Sequence, residues 1–492
     1  MTTQHNVRRN AAPRRRRPLA IAVVGLALLA AGCGSLQPHE DIVRAAGGGT
    51  QSQGGSNVGG TAGTGAVTAP GAGSSDSTTT GSDANAATGQ LQPGSTGLPA
   101  DGGTTTGAGA GTSAGSGTGT SGSAVSQDRA PVLIGNVSTL SGIAGAAQGP
   151  GFVGMRARVK YVNAQGGVNG HLIKLIARDD QNDPSQNASY TQALVEQSKV
   201  VAFVSNWASQ TQHASADYLK SKGIPVVGGD HTSERTWGVN PMFFPVAAIG
   251  ADAVRITVAG MAKVALPVGK TKLGILACVE AAICTNGARI SADYAPKVGF
   301  NIVYNGSASF AAPGYTAECL NMKNAGVQAL QIIFPEAAVK NVARDCARQG
   351  LKAIYALTSG TMEGDFNQDA NFEGSSVVGT TFPFAGGTSA VAREYAAALK
   401  KYEPNQLSNP AAAAGWAAGK VFGAALAKVQ GPVTSQKLLA ALYTFKKDSF
   451  GGATIPLTFL KGPMTPPRCY YLSVIRAKAY VVQNGGRFVC AP

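Results

Sequence analysis

The sequence predicts an α/β fold in which two successive lobes each surround a central parallel β-sheet. The first observation is a rhythm of short apolar runs and amphipathic segments that starts at residue 132, and the second is that this rhythm restarts at residue 272. The third is a tract, residues 46–127, built almost entirely from Gly, Ser, Thr and Ala without any aromatic residue. Such a tract cannot bury enough apolar surface to offset the entropy of ordering its backbone. The folded part therefore begins near Asp128.

Apolar runs predict the strands of the first lobe at residues 132–137, 172–177, 200–204 and 224–227. Segments of helical spacing lie between them and predict helices at residues 152–162, 185–198 and 210–220. Asp183 followed by Pro184 suits a helix start, because the Asp can accept hydrogen bonds from the first N–H groups of the helix. Strands that alternate with helices of this length form a parallel sheet covered on both faces.

The second lobe repeats the pattern, with predicted strands at residues 272–277, 301–304, 329–334 and 353–356. Its predicted helices are residues 287–295, 316–325 and 337–349. In open α/β sheets, ligands bind beyond the carboxyl ends of the strands. Between two such lobes, we expect a cleft formed by the loops at residues 138–148, 205–210, 228–235, 278–287, 335–336 and 358–363.

The first 32 residues are typical of a signal peptide. Residues 14–17 are all Arg, residues 19–31 are largely apolar, and small residues lead to Cys33. The apolar run is too short to span a bilayer comfortably. Its end resembles the lipobox of bacterial lipoproteins, which predicts a lipid anchor on Cys33, although Ala30 stands where Leu is usual. An ordinary secretory peptide with an incidental Cys33 is the alternative, and the choice between Sec and twin-arginine export stays open.

Residues 33–127 are predicted to be the lipidated cysteine and a disordered tether. About 80 flexible residues give a root-mean-square reach of about 50 Å, enough to hold a folded domain away from a membrane. The chain carries a formal charge of +15, and the folded part, with 34 basic and 21 acidic residues, keeps +13. Its basic residues are spread singly, without the runs or interleaved aromatics of a nucleic-acid-binding face, so we expect no nucleic acid partner.

The cysteine count agrees with export. Six cysteines remain beyond Cys33, an even number in a compartment that permits disulfides. Six cysteines allow fifteen pairings; the sequential one is preferred, with Cys278–Cys284, Cys319–Cys346 and Cys469–Cys490. The five histidines are scattered and no Cys or His cluster has zinc spacing, so we expect neither a metal nor a cofactor.

Several short fragments, in this order and spacing, carry a family resemblance. They are Leu140-Ser-Gly142, the turn at residues 162–170, Arg178-Asp-Asp followed by Asp183-Pro184, residues 211–214 near 223–227, Phe334-Pro-Glu336 and residues 344–351. Over nearly all of residues 130–492 the chain resembles the leucine/isoleucine/valine-binding proteins, the type I solute-binding proteins of branched-chain amino acid ABC importers. The resemblance implies two Rossmann-like lobes joined by three crossovers. Lobe 1 would comprise residues 130–250 and 377–431, and lobe 2 residues 251–376 and 432–492.

The resemblance also implies where a ligand binds. In the family, the α-carboxylate of the ligand is held by the loop after the strand at 200–204 and by the loop at 228–233, and its α-ammonium meets an acidic residue after the strand at 353–356. The chain departs from this pattern at each loop, with Ala208, Asp230 and Leu357-Thr358-Ser359. An ammonium without a carboxylate partner would cost several kcal/mol, so these departures argue against an amino acid as ligand. The candidate ligand-binding residues are Ser141, Trp207, Ala208, Ser209, Gln210, Asp230, His231, Thr232, Phe334, Glu336 and Thr358.

Four of these residues have a structural alternative. Trp207 either stacks on a ligand or caps the lobe interior, and His231 is either a pH-sensitive contact or a surface loop residue. Phe334 belongs either to the core or to the cleft wall. Glu336 either contacts the ligand or caps the helix at residues 337–349.

The function expected from these features is that of an extracytoplasmic lipoprotein, lipid-anchored to the outer face of the bacterial cytoplasmic membrane. It would capture a small polar or amphipathic solute (amino-acid-like, amide or aromatic acid) by hinge closure, as a monomer, and deliver it to ABC transporter permease subunits. A ligand-sensing receptor on the same fold is the alternative. An enzyme is not expected, because there is no Walker A motif and no nucleophile with a base nearby in sequence.

Overall fold

Two β-sheets organise the chain in the computed structural model, which describes residues 129–233, 236–358 and 365–491. The predicted signal peptide, Cys33 and the whole predicted tether lie outside the described residues. So do residues 359–364, which include all of the predicted ligand loop at residues 358–363 except Thr358. The α/β fold with largely parallel sheets is confirmed.

The first sheet has the strand order β2-β1-β3-β4-β5, and all its neighbouring strands are parallel. Its strands are β1 (Arg129–Ser138), β2 (His171–Asp179), β3 (Ala202–Asn206), β4 (Val226–Gly229) and β5 (Phe243–Phe244). The helices that connect them are α1 (Gly142–Asn163), α2 (Pro184–Glu196) and α3 (His213–Lys222). Ile134, Val204 and Val227 are fully buried, because helices cover both faces of a parallel sheet.

The second sheet has the order β12-β11-β10-β9-β8-β6-β7, with β13 paired to β11. Its strands are β6 (Lys272–Cys278), β7 (Asn301–Ala308), β8 (Ala329–Ile333), β9 (Ile354–Thr358), β10 (Ser376–Gly379), β11 (Cys469–Arg476), β12 (Ala479–Val482) and β13 (Val489–Cys490). Strands β6 to β10 run parallel, whereas β11 is antiparallel to β10, β12 and β13. The remaining helices are α4 (Gly250–Ala265), α5 (Ala282–Tyr294), α6 (Thr316–Asn324), α7 (Glu336–Arg348), α8 (Ala390–Tyr402), α9 (Pro410–Ala427) and α10 (Ser435–Leu442).

Helix α1 begins ten residues before the predicted start at 152. Its first half is rich in Gly and Ala and contains Pro150, a composition that suggests a loop. The glycines have a packing role, because a Cβ on Gly154 would lie 1.9 Å from the carbonyl oxygen of Ala412 in α9. A Cβ on Gly415 would likewise lie 1.8 Å from the carbonyl oxygen of Gly151. The two helices therefore pack backbone against backbone on the first lobe.

The chain passes between the sheets at residues 245–249, 380–389 and 460–468 within the described ranges. Helix α4 packs on β9, β10 and β11 of the second sheet, whereas α8 and α9 pack on α1 of the first lobe. Strand β10 thus lies in the second sheet, whereas residues from 377 onward were predicted to lie in the first lobe. Helix α10 stays with the first lobe, since Ser435 Oγ donates to the carbonyl of Val201 at 2.7 Å, beyond the predicted boundary at 432.

The structure pairs the six cysteines as preferred from the sequence: Cys278–Cys284, Cys319–Cys346 and Cys469–Cys490. The first pair closes the loop between β6 and α5, the second joins α6 to α7, and the third joins β11 to β13. Among the helices of the described ranges, none is both long and apolar enough to cross a membrane.

Candidate functional site

The carboxyl edges of the two sheets both adjoin the crossovers. The chain leaves the first sheet at the carboxyl end of β5 and enters α4, which runs back along the second sheet to the start of β6. It leaves the second sheet at the carboxyl end of β10 and enters α8 on the first lobe. Ligands of open α/β sheets bind at such edges, so the loops there form the two walls of the candidate site. The loops after β1 to β4 form the first wall, and the loops after β6 to β9 form the second wall.

Hydrogen bonds tie two of the crossover segments to the lobes. Phe382 N–H donates to the carbonyl of Ala453 at 3.2 Å, and Met464 N–H donates to the carbonyl of Gly238 at 3.0 Å. The Nε of Arg468 donates to Asp252 Oδ1 at 2.8 Å near the start of α4. These bonds lie where the chain passes between the two lobes.

A buried carboxylate organises the loops of the first wall. Asp180 is fully buried and accepts hydrogen bonds from the hydroxyls of Thr139 at 2.7 Å and Thr211 at 2.5 Å. Asn187 Nδ2 donates to the second carboxylate oxygen at 2.9 Å. Asp180 therefore joins the loops after β1, β2 and β3, a structural role that the sequence fragment at residues 178–184 did not reveal.

Ser141 is exposed at the start of α1 and lies beside Asp179. Leu140 N–H donates to Asp179 Oδ1 at 2.9 Å. Partial burial alone would raise the pKa of Asp179, but the hydrogen bonds from Ser141, Leu140 and Gln181 hold it below its usual value. The hydrogen-bond donors at this end of the loop therefore bind the carboxylate of Asp179.

Trp207 is buried inside the first lobe. Its backbone N–H donates to Ser138 Oγ at 2.8 Å and its indole N–H to Ser205 Oγ at 2.9 Å. The ring packs beside Gly151, where an added Cβ would approach it to 2.0 Å, and it clusters with Ala411 and Ala414 of α9. This placement favours the interior-capping alternative over stacking on a ligand.

The rest of the loop after β3 is also tied to the lobe. Ala208 is fully buried, and its carbonyl accepts from Gln212 N–H at 2.9 Å. Gln148 of α1 accepts from Ser209 N–H at 3.1 Å and donates to Ser209 Oγ at 2.9 Å. Gln210 is exposed. Gln148 could not be recognised from the sequence, because only the fold brings α1 against this loop.

Asp230 follows β4 directly, at the strand next to the edge strand β5. Its backbone N–H donates to the carbonyl of Asn206 at 3.0 Å, and its Oδ1 accepts from Thr232 N–H at 2.9 Å. The residue is partly accessible to solvent yet deeply set, and desolvation raises the pKa of its carboxyl group. The side chain of Thr232 is exposed.

His231 is buried against the first crossover. Its Nε2 accepts from Val246 N–H at 3.2 Å, its carbonyl accepts from Gly250 N–H at 3.0 Å, and its ring lies 4.4 Å from that of Trp237 between centroids. Burial lowers the pKa of His231 to about 3, so the imidazole is neutral with its proton on Nδ1. His231 is thus neither a surface residue nor a contact that titrates near neutral pH.

In the second wall, Phe334 and Glu336 are both buried. The Phe334 ring lies 5.7 Å from that of Tyr315, which favours a core position. Glu336 begins α7 and binds Lys340, which also binds Asp365. Partial burial disfavours the charged form of Lys340, but the two carboxylates hold its pKa above the usual value. Thr358 is half-buried at the end of β9.

The loop after β6 adds residues that the sequence analysis did not single out. Val279 and Ile283 are 56% and 44% exposed, although both are apolar. Between them, Glu280 accepts from Ser309 Oγ and, at 3.0 Å, from Phe310 N–H; the bond from Ser309 contributes most to lowering the Glu280 pKa. The Cys278–Cys284 disulfide closes this loop and limits its motion.

No group of three or more His, Cys, Asp or Glu side chains is placed to hold a metal ion in the described part of the chain. What the site offers is partly exposed polar side chains and carboxylates at the edge of the first sheet, and exposed apolar side chains together with charged groups at the edge of the second. That arrangement suits binding of a small solute.

Comparison with known proteins gives matches over most of the folded part. The model of a family described as periplasmic binding protein matches residues 131–479. An "Amino acid binding protein" of Pseudomonas aeruginosa is 31% identical over 84 residues, 17% of this chain, so the match spans only 22% of that relative.

Solved structures resemble the fold at low sequence identity. A possible leucine/isoleucine/valine-binding protein from Rhodopirellula baltica has a TM-score of 0.59 at 16% identity, covering 73% of this chain and 98% of that one. An ABC transporter solute-binding protein from R. palustris, in complex with benzoate, has a TM-score of 0.59 at 15% identity, with the same shares covered.

Proposed function

The chain belongs to the type I periplasmic binding protein family, and we propose on this premise that it captures a small polar or amphipathic solute for an ABC importer. The solute would be amino-acid-like, an amide or an aromatic acid. It would bind between the two lobes, and the loaded protein would deliver it to the permease subunits in the membrane.

The observation that carries the proposal is that three segments of the described chain pass between the lobes beside their carboxyl edges. The crossovers at residues 245–249, 380–389 and 460–468 adjoin both edges, and rotation about them would close one wall on the other. Closure around a solute removes it from water and creates a shape that a permease can distinguish from the empty form.

Proteins of this family act outside the cytoplasm. We infer that residues 1–32 direct export, that Cys33 carries the lipid anchor, and that residues 34–127 separate the binding domain from the outer face of the cytoplasmic membrane. The stretch from Gly34 to Gln127 contains few apolar residues and would act as a flexible spacer.

The anchor is tested by Cys33→Ser in the full chain expressed in a bacterial host. We expect the wild-type protein to incorporate labelled palmitate and to partition with detergent micelles, and the variant to do neither. The six other cysteines are paired in disulfides, so loss of labelling would be specific to Cys33. Labelling of the variant at the wild-type level would contradict lipidation at this residue.

Solute capture is tested by native mass spectrometry of protein purified from its host, followed by thermal-shift measurements with amino acids, amides, amines and aromatic acids. We expect a co-purified small molecule, or a solute that raises the melting temperature at micromolar concentration. If no solute in either experiment binds, the proposal fails. If a solute binds but no permease complex forms with it, a sensing role on the same fold is favoured.

A further inference from the structure

We propose that the captured solute carries a protonated amine or another cationic N–H group, and that this group binds the carboxylate of Asp230. The inference rests on the proposed function, because it concerns the solute held at the same edge of the first sheet. The class of solute follows from the hydrogen-bonding groups of the first wall that the protein itself does not use.

Most donors at this wall are already used by the protein. The hydroxyl of Thr139 donates to Asp180, and the N–H of Leu140 donates to Asp179. The N–H of Ser209 donates to Gln148, and the N–H of Thr232 donates to Asp230 itself. A ligand carboxylate needs several such donors converging on it, and these four are directed elsewhere.

The carboxylate of Asp230 after β4 is, by contrast, only partly used. Within residues 129–233, 236–358 and 365–491, the Asp230 carboxylate accepts hydrogen bonds from the N–H and the hydroxyl of Thr232 and forms no ion pair. A carboxylate has about four acceptor positions. Asp230 therefore retains capacity for about two donors from a bound molecule.

The surroundings of Asp230 strengthen this preference. Next to it, His231 is a neutral imidazole whose Nε2 is occupied by Val246 N–H, so this ring does not supply a cation. A partly buried carboxylate without a cationic partner is costly, and a cationic ligand would remove that cost on binding. An anionic ligand placed there would instead meet like charge.

The opposite wall indicates what the remainder of the solute resembles. Val279 and Ile283, exposed at the loop after β6, would contact a hydrocarbon portion once the lobes close. The cationic group and the hydrocarbon portion together describe an amphipathic amine. This class differs from the benzoate in the R. palustris complex, whose charge has the opposite sign.

Matched probes separate these possibilities. Benzylamine and benzoate, and hexylamine and hexanoate, form pairs of the same shape with opposite charge, and each is titrated calorimetrically into the full-length protein at pH 7. We expect the amines to bind and the carboxylates not to bind. Carboxylate binding without amine binding would overturn the inference while leaving the proposed function intact.

The residue is tested by Asp230→Asn, which keeps an oxygen to accept from Thr232 N–H and removes the charge. We expect amine affinity to fall at least about tenfold, the loss of one charge-assisted hydrogen bond. Asp217→Asn, on the exposed surface of α3 in the same lobe, is the control and should bind amines as the wild type does. Equal amine affinity in both variants would overturn the assignment.

Failure of the two proposals can be told apart. If a solute without any cationic group occupies the cleft and Asp230→Asn leaves its affinity unchanged, the protein captures solutes but Asp230 does not select them. If no solute of any charge binds the wild type, the proposed function fails and the inference fails with it. Should Asp230→Asn not fold, the amine and carboxylate pairs on the wild type decide alone.

Discussion

His231 is the residue whose burial has the clearest consequence for stability. Because the pKa is about 3 in the folded protein and about 6.5 in an unfolded chain, the unfolded state binds one more proton between these values. Protonation therefore favours unfolding as the pH falls below about 6.5. Stability from this residue is present at neutral pH and is lost on acidification.

We expect His231→Gln to flatten the pH dependence of the free energy of unfolding between pH 6.5 and 4. The wild type should lose about 1 kcal/mol more per pH unit than the variant over this interval, measured by urea unfolding. The raised pKa of the Asp230 carboxyl group changes stability with pH in the opposite direction. Comparing the wild type with His231→Gln isolates the effect of His231, because both proteins contain Asp230. His213→Gln, at an exposed position in the same lobe, is the control. Identical slopes for wild type and His231→Gln would contradict the burial.

Residue positions could be predicted from the sequence better than residue orientations. The end of a strand follows from its apolar run, so the loops holding Trp207, Asp230 and His231 were identified correctly. Whether a side chain turns inward depends on partners that lie far away in sequence. Trp207 meets Gly151 and Ala411, a contact that no local pattern encodes.

At the scale of elements, the first lobe depends on the close packing of α1 and α9. Both helices carry glycines at the contact, and the nearest atoms across it belong to the backbone, which cannot move aside as a flexible side chain can. Helix α9 is fully buried along much of its length. This contact holds α9 against the first lobe, although the preceding strands β6 to β10 belong to the second sheet.

Gly154→Ala is expected to destabilise the protein by about 1–3 kcal/mol, because its Cβ would overlap the carbonyl of Ala412. Gly423→Ala in α9 is the matched control, since an added Cβ there meets nothing within 4 Å. That variant should be neutral or more stable by up to about 1 kcal/mol, because Ala favours the helix. Equal free energies of unfolding for the two variants would show that the helices are not packed this closely.

The elements that could be predicted from the sequence are those with a clear pattern of apolar residues. Strands β1 to β4 and β6 to β9 were predicted within a few residues, since buried parallel strands appear as short apolar runs. Strand β5 has only two residues and carries too little pattern to be recognised. The first half of α1 was missed because Gly and Pro are poor helix formers, and only the contact with α9 explains their presence.

At the scale of the whole molecule, the chain is predicted to be an anchor, a spacer and a two-lobed receptor. The two-lobed arrangement was predictable because the strand and helix rhythm stops near residue 227 and restarts at residue 272. The return of α8 and α9 to the first lobe came from family resemblance and not from any residue pattern, and α10 was predicted to lie in the second lobe. The solute was not predictable, since it depends on which donors and acceptors the folded loops leave available.

Closure of the lobes on a solute is the central claim, and a distance across the cleft tests it most directly. Gln181 and Ala311 are exposed and lie beyond the carboxyl ends of the edge strands β2 and β7. Spin labels attached there through unnatural amino acids leave the three disulfides intact. Double electron–electron resonance spectroscopy then gives the distance between the two labels. We predict that the separation shortens by several ångströms when a binding solute is added. An unchanged separation at saturating solute would contradict capture by hinge closure.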